Sequence, residues 1–270
     1  MNQRARKDAN PVYRIIAVRT AQASLPALAA HWLLGWPLTG PRALGLFLTP
    51  ALCLYFAFVF VARWSWGLPI LTRLPTREKM VALTFDDGPS PETTPAVLDA
   101  LGAFSVRATF FVLGEAVERS PDLLRRIVAE GHTLGLHGYG HRPFVLMSQR
   151  QIQGEIERAR EAVRRACPDA APSSWLRPPH GFKSPGTLWA VHRAGFRFAG
   201  WSRDGRDYAE EEPERMARNI LDRLRPGAII LLHDGPGNAA TVAALPTILQ
   251  GLRERGWQPL TLPPDPRTVP

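Results

Sequence analysis

From Glu78 onward the sequence alternates short runs of β-branched and aromatic residues with longer amphipathic stretches. That alternation admits few folds, because strands joined by helical crossovers must form a parallel sheet or barrel wrapped by helices. Strands are predicted at 81–85, 108–113, 133–136, 175–177, 197–201, 228–232 and 258–262. Helical patterns fill the gaps, for example 121–130 and 148–167, where Ser148 is a plausible N-cap and Ile152, Ile156 and Val163 form an apolar stripe. A chain of 270 residues that is 45% apolar can bury one sizeable core and still carry an appendage.

The appendage lies at the N-terminus. Residues 43–62 read ALGLFLTPALCLYFAFVFVA, uncharged and long enough to cross a bilayer as a helix. The run ends without a small-x-small cleavage site, so it reads as a retained anchor in place of a signal peptide. Arg4, Arg6, Lys7, Arg14, Arg19 and Arg42 precede it, an excess of positive charge that holds the N-terminus in the cytoplasm. The expectation is a single-pass cell-membrane protein whose following domain is extracytoplasmic, with Trp64 and Trp66 in the interfacial belt and 69–77 as a linker. The shorter apolar stretch 25–38, which contains His31, Pro26 and Pro37, is the alternative: as the first arm of a hairpin it would reverse the topology. Thirty-three basic against 24 acidic residues give a formal charge of +9, which suits an anionic surface. Charge alone suggests nucleic acid, and no helix-turn-helix, zinc-finger or aromatic-rich basic motif supports it. Two cysteines, Cys53 and Cys167, provide neither a disulfide framework nor a thiolate metal cluster.

Residues able to do chemistry gather just past the predicted strand ends, the end at which a βα barrel assembles its active site. Asp86-Asp87-Gly88-Pro89 follows the first strand, His137 to His141 the third, Arg177 to Gly181 the fourth, Asp204 and Asp207 the fifth, and His233-Asp234 the sixth. Neighbouring aspartates leaving a strand point to different sides, so one can bind a metal while the other addresses a water. His137 and His141 have the i, i+4 spacing of a two-histidine metal site, on a turn and not a helix, since Gly138, Gly140 and Pro143 interrupt it. Two histidines and a carboxylate leave coordination positions open, as hydrolytic metal sites require. His233 closes the apolar run 228–232 and could protonate a leaving group at a buried mouth. His132, Cys167 and His192 lie away from strand mouths and are given no role.

At these residues the chain resembles the polysaccharide deacetylase family, the NodB-homology domain of carbohydrate esterase family 4, over about 78–262. The motifs stand in order as Thr84-Phe85-Asp86-Asp87-Gly88-Pro89, His137-Gly138-Tyr139-Gly140-His141, Arg177-Pro178-Pro179-His180-Gly181, the segment from Trp201 to Tyr208, and Leu231-Leu232-His233. The resemblance implies a distorted (β/α)7 barrel at 78–262, preceded by the anchor region 1–77 and followed by a Pro-rich tail at 263–270. It implies a divalent metal, often zinc, on Asp87, His137 and His141, with Asp86 activating water and His233 protonating the departing amine. It further implies that Arg177 pairs with Asp86 and Asp207 with Arg177, that the backbone N–H of His180 serves the oxyanion, and that Leu231 and Tyr208 wall the acyl pocket.

Two positions depart from the family pattern. Gly138 stands where Ser or Thr is usual, removing a hydroxyl that would brace the loop, and Tyr208 stands where Trp is common. The implied activity is metal-dependent hydrolysis of the N-acetyl group of an amino sugar in a glycan such as peptidoglycan or a chitin-like oligomer. The rival readings are a deacylase of a lipid-linked amino sugar and a non-catalytic carbohydrate-binding barrel. Composition and motifs say nothing of oligomeric state.

Overall fold

The computed structural model describes residues 70–170, 172–207 and 212–264, together with Leu52, Cys53 and Tyr55. Those three residues apart, the expected anchor at 43–62 lies outside the described residues, as do the 25–38 stretch, Tyr208 and the tail from 265. Among the described residues no helix is long and apolar enough to cross a membrane.

Nine strands form one sheet: β1 (Ile70–Leu71), β2 (Met80–Asp86), β3 (Thr109–Val112), β4 (Thr133–Leu136), β5 (Trp175–Leu176), β6 (Arg197–Ala199), β7 (Arg203–Asp204), β8 (Ala228–His233) and β9 (Gln258–Leu260). Their order is β1-β6-β5-β4-β3-β2-β8-β7, and every pairing between them is parallel. Strand β2 is central. β8 runs along one of its edges, while β3 and β9 share the other, β3 beside Thr84–Asp86 and β9 beside Met80–Ala82. The crossovers are α1 (Thr94–Ala103), α2 (Gly114–Arg119), α3 (Pro121–Ala129), α4 (Gln149–Ala166), α5 (Pro185–Arg193), α6 (Pro213–Leu221) and α7 (Ala239–Glu254).

All seven strands expected from the pattern are present, but the sheet is a curled half-barrel and not a closed sevenfold one. Two further strands, β1 and β7, have only two residues each and form its edges. Neither carries a strand pattern of its own, β7 being the polar pair Arg203-Asp204, so each is defined only by its neighbour. β1 falls inside the stretch expected as a linker. It pairs with β6, and Arg73 then bridges to Ala228 at the start of β8, so residues 70–74 close the lower end of the curl. Helix α4 begins as expected: the Ser148 hydroxyl accepts from the Gln151 N–H and the Gln151 side chain accepts from the Ser148 N–H, a reciprocal cap.

Period-2 alternation divides each strand between two cores. Val81, Leu83 and Phe85 of β2, Phe110 and Val112 of β3, and Ile230 and Leu232 of β8 face the helices. Ala82, Phe111, Trp175 and Ile229 face the inside of the curl, with Leu74 and Leu262 beneath them. Burial on both faces explains why these strands read as continuous apolar runs. The inner layer is tight: a Cβ on Gly135 would lie 2.5 Å from the Phe111 ring and 3.2 Å from the Trp175 carbonyl oxygen. Gly135→Ala is therefore expected to destabilise the full chain by about 1–3 kcal/mol in urea denaturation. An unchanged midpoint would show that the interior has room to spare.

Candidate active site

The inward-facing sets continue directly into the chemistry. Asp86 follows Ala82 and Thr84 on the inner face of β2, Arg177 follows Trp175 of β5, His137 follows Gly135 of β4, and His233 follows Ile229 and Leu231 of β8. In a parallel sheet these C-terminal ends point the same way, so residues far apart in sequence meet at one mouth. Asp86 and His233 are register partners across β2 and β8. The mouth is a cavity of about 1120 Å3 lined by Asp86, Asp87, His137, His141, His180 and His233, among others.

Asp87, His137 and His141, the residues the family resemblance implied as metal ligands, lie together in one cluster. The Asp87 Oδ1 lies 3.2 Å from the His137 Nε2 and 3.1 Å from the His141 Nε2. Neither approach has hydrogen-bonding geometry, and this oxygen is buried with no hydrogen-bond partner. An orphaned carboxylate oxygen is costly unless something else satisfies it. Bonds of about 2.1 Å to one tetrahedral ion would set ligand atoms about 3.4 Å apart, near the spacing found. Burial works against the Asp87 charge, but the two imidazoles outweigh it and hold the carboxyl well below its ordinary range. The Nδ1 of His137 lies 2.7 Å from the Arg177 carbonyl oxygen, which can only accept, so Nδ1 carries the proton and Nε2 is left to bind. These residues thus fit a divalent cation.

Arg177 is fully buried at 0% exposure. Its Nη1 donates to the Asp86 Oδ1 at 2.6 Å and to the Thr84 hydroxyl at 2.9 Å, while Nε and Nη2 donate to the carbonyls of Ala199 and Gly200. The guanidinium also lies 4.2 Å from the Phe111 ring centre. The expected pairing with Asp86 is thus present. The Asp86 Oδ2 lies 3.9 Å from the His137 Nε2, on the side of the cluster.

Asp207 is placed differently from the expected pairing with Arg177. Its Oδ1 lies 2.7 Å from the His233 Nδ1, and its Oδ2 accepts from the His233 backbone N–H at 2.7 Å and from the Thr241 hydroxyl at 2.6 Å. The reason is geometric: Arg177 already spends its donors on Asp86, Thr84 and two carbonyls, whereas Asp207 follows β7, which pairs with β8 and so borders His233. Burial would lower the His233 pKa, but the Asp207 carboxylate, aided by Asp86 and Asp87, raises it to about 9. At neutral pH the ring is an acid with a proton to give.

Leu231 and Trp201 line the cavity, and the His180 ring lies tilted against that of His141, with ring centres 4.5 Å apart. Tyr208, the other expected wall residue, lies outside the described residues. Among the described residues, five non-glycine residues have positive φ, and four of them, Asp87, His141, His180 and Arg206, line this cavity. Left-handed backbone costs about 1–3 kcal/mol per residue and concentrates at functional sites, where surrounding contacts impose it.

Three supporting residues went unassigned in the sequence reading. Asp234 is buried, and its carboxylate accepts from the Thr94 hydroxyl at 2.6 Å. Burial, with Asp87 and Asp86 nearby, pushes its carboxyl up to about 7. A Cβ on Gly88 would come within 2.2 Å of this carboxylate, which is why the Asp-Asp-Gly turn needs its glycine. Thr84 braces Arg177, and Glu155 of α4 accepts from the backbone of the His137–His141 turn. Glu155 had a legible signal, a carboxylate within the apolar stripe between Ile152 and Ala159. Asp234 and Thr84 had none beyond their strand positions. His132, given no role, accepts the Ala108 N–H on its Nδ1 at 3.1 Å.

Comparison with known proteins agrees with this geometry. The sequence profile described as polysaccharide deacetylase matches residues 73–199. The chain is 40% identical over 197 residues to a chitooligosaccharide deacetylase of Bradyrhizobium sp. (strain ANU 289), covering 68% of this chain and 90% of that protein. It is 36% identical over 192 residues to a peptidoglycan-N-acetylglucosamine deacetylase of Bacillus cereus, covering 70% and 69%. Its fold superposes with a TM-score of 0.68 on the crystal structure of the Bc1960 peptidoglycan N-acetylglucosamine deacetylase, at 34% identity and with 72% and 91% of the two chains covered.

The His233–Asp207 pair makes the pH behaviour testable. In an NMR titration the His233 ring is expected to lose its proton near pH 9, and in Asp207→Asn at a markedly lower pH, because burial remains while the opposing charge is gone. The sign follows from the raised pKa: its stabilisation is complete below the ordinary histidine value of about 6.5 and is lost as pH rises through about 9. A His233 pKa unmoved by Asp207→Asn would refute this coupling.

Proposed function

Because this chain belongs to the polysaccharide deacetylase family, the deacetylases of carbohydrate esterase family 4, we propose that it hydrolyses the N-acetyl group of N-acetylglucosamine units in a glycan at the Asp87–His137–His141 mouth. The observation that carries this reading is a pair of charge-coupled groups flanking the triad: Asp86 held by Arg177, and His233 held by Asp207. A site that only bound a cation or a sugar would need neither a base nor an acid.

We assign Asp87, His137 and His141 as ligands of a divalent cation, with zinc favoured because the donor set is two imidazoles and a carboxylate. When bound, such an ion supplies Lewis-acid polarisation of the amide carbonyl and acidifies water. Asp86 then accepts a proton from the attacking water. Its Oδ1 is occupied by Arg177, so Oδ2, on the side of His137, is the basic atom. The water oxygen adds to the acyl carbon, the carbon–nitrogen bond breaks, and the nitrogen leaves with a proton from His233, giving acetate and a free amino sugar. His233 donates Nδ1–H to Asp207, so Nε2 is the nitrogen that delivers the proton. The His180 backbone N–H is assigned to the developing oxyanion, and Leu231, with Tyr208, to the wall around the methyl group.

Peptidoglycan and chitin-like oligomers are the substrate classes supported by the relatives' names. The apolar run at 43–62, read as a single anchor with the basic residues on its cytoplasmic side, favours a substrate at the outer membrane–wall boundary and keeps a lipid-linked amino sugar as the second reading.

Purified full-length protein in detergent, given N-acetylglucosamine oligomers, peptidoglycan and a lipid-linked N-acetyl sugar, is expected to release acetate until a chelator is added and again after zinc is restored. Asp86→Asn should retain the metal but lose about 100- to 10,000-fold in turnover. Undiminished turnover in that variant would reject Asp86 as the base. For topology, a reporter fused after Pro270 should be active only outside the cytoplasm, and a cytoplasmic signal would sink the single-anchor reading.

A further inference from the structure

We propose that Glu155 of α4 is a positioning residue that holds His141 in place for the cation, an assignment resting on the metal-site reading above. The His137–His141 turn has unequal ends. His137 continues β4, with its backbone N–H donating to the Val112 carbonyl and its Nδ1–H to that of Arg177. His141 stands beyond the sheet at φ 56° with a partly exposed ring, after Gly138 at φ 86°. A non-glycine residue in left-handed backbone persists only where its surroundings impose it.

Those surroundings are two helices. The α2 N-terminus donates the Gly114 and Glu115 N–H groups to the carbonyls of Gly138 and Tyr139, each at 3.0 Å. From the other side the Glu155 Oε2 accepts the N–H groups of Tyr139 and Gly140, at 3.1 and 3.0 Å. Both faces of the central peptide units are thus tied. Glu155 is 8% exposed, among Ile152, Ile156 and Ala159, where a carboxylate is costly unless hydrogen-bonded. One turn further on, the Arg158 guanidinium lies 3.6 Å from the Tyr139 ring centre, a second grip by the same helix. Gly138 has no side chain to brace the turn, and a Cβ there would press within 3.1 Å of Phe144. The brace therefore comes from α4, through two charge-assisted bonds to backbone.

Loss of such a support commonly weakens metal binding by about 10- to 100-fold. The test uses the full-length protein and measures zinc affinity by chelator competition, the visible spectrum of the cobalt-substituted protein, and amide exchange at Tyr139 and Gly140. Glu155→Ala is expected to weaken zinc binding by about 10-fold or more, to shift the cobalt spectrum toward that of His141→Ala, and to speed both amides, with its melting transition still cooperative. Glu155→Gln keeps an acceptor oxygen at the same reach and should restore most of the affinity. If Glu155→Ala does not fold, Glu155→Asp, which withdraws the carboxylate by one methylene, should show the same changes at several-fold magnitude. Wild-type zinc affinity and cobalt spectrum in a folded Glu155 variant, beside a weakened His141→Ala, would overturn the role of Glu155 and leave the metal site standing. Wild-type affinity in Glu155→Ala, His137→Ala and His141→Ala alike would overturn the metal site and, with it, this inference.

Discussion

Arg177 is the residue on which the rest of the site depends. Its guanidinium, sealed inside the curl, cannot be left uncompensated, and it is answered by Asp86, Thr84, the carbonyls of Ala199 and Gly200, and the rings of Phe111 and Trp201. Its own carbonyl receives the Nδ1–H of His137. One residue therefore sets both the orientation of the assigned base and the tautomer of an assigned ligand. This coupling also ties β2, β4, β5 and β6 together at the mouth, so the curl of the sheet and the geometry of the site are not separable.

The opposite side follows the same logic with different elements. Asp207 leaves β7, anchors the His233 ring and main chain, and is itself held by Thr241 of α7. The Asp86–Arg177 and His233–Asp207 pairs stand on either side of the triad, and in each the group proposed to transfer a proton is oriented by a charged partner. Asp86 and His233 are the last residues of β2 and β8, and His137 and Arg177 stand one residue past β4 and β5, whereas His141, His180 and Asp207 lie further out on the connections. Precision there comes from neighbouring elements: Glu155 holds the His141 turn, Trp201 packs against Gly181 beside His180, and Thr241 holds Asp207.

Family membership and geometry make separate contributions to the functional reading. Sequence similarity to chitooligosaccharide and peptidoglycan deacetylases gives the class of reaction. The distances support the proposed division of labour: a buried, unsatisfied oxygen on Asp87 between two imidazoles, a carboxylate fixed by a guanidinium, and an imidazole whose charged form a carboxylate favours. None of these groups has the right property in isolation; each acquires it from a neighbour at about 3 Å.

Sequence by itself determined the strands of the central sheet and the residues at their ends, because a buried parallel strand is a local pattern and strand ends in such a sheet share one mouth. The motif residues Asp86, Asp87, His137, His141, Arg177 and His233 were legible for that reason, as was the Ser148 cap, which needs only neighbours three residues away. Tertiary structure alone decided what depends on contacts between distant segments. β1 and β7 are defined only by the strands they pair with, so they and the open curl had no sequence signature. Asp207 was visible as a candidate, but its partner was settled by the pairing of β7 with β8 and by an Arg177 whose donors were already committed. Glu155 stood out in the apolar stripe of α4, but its partners, the Tyr139 and Gly140 N–H groups, are set only by the packing of α4 against the turn that carries His141. A side chain's identity is local, whereas its partner is fixed by where the chain returns.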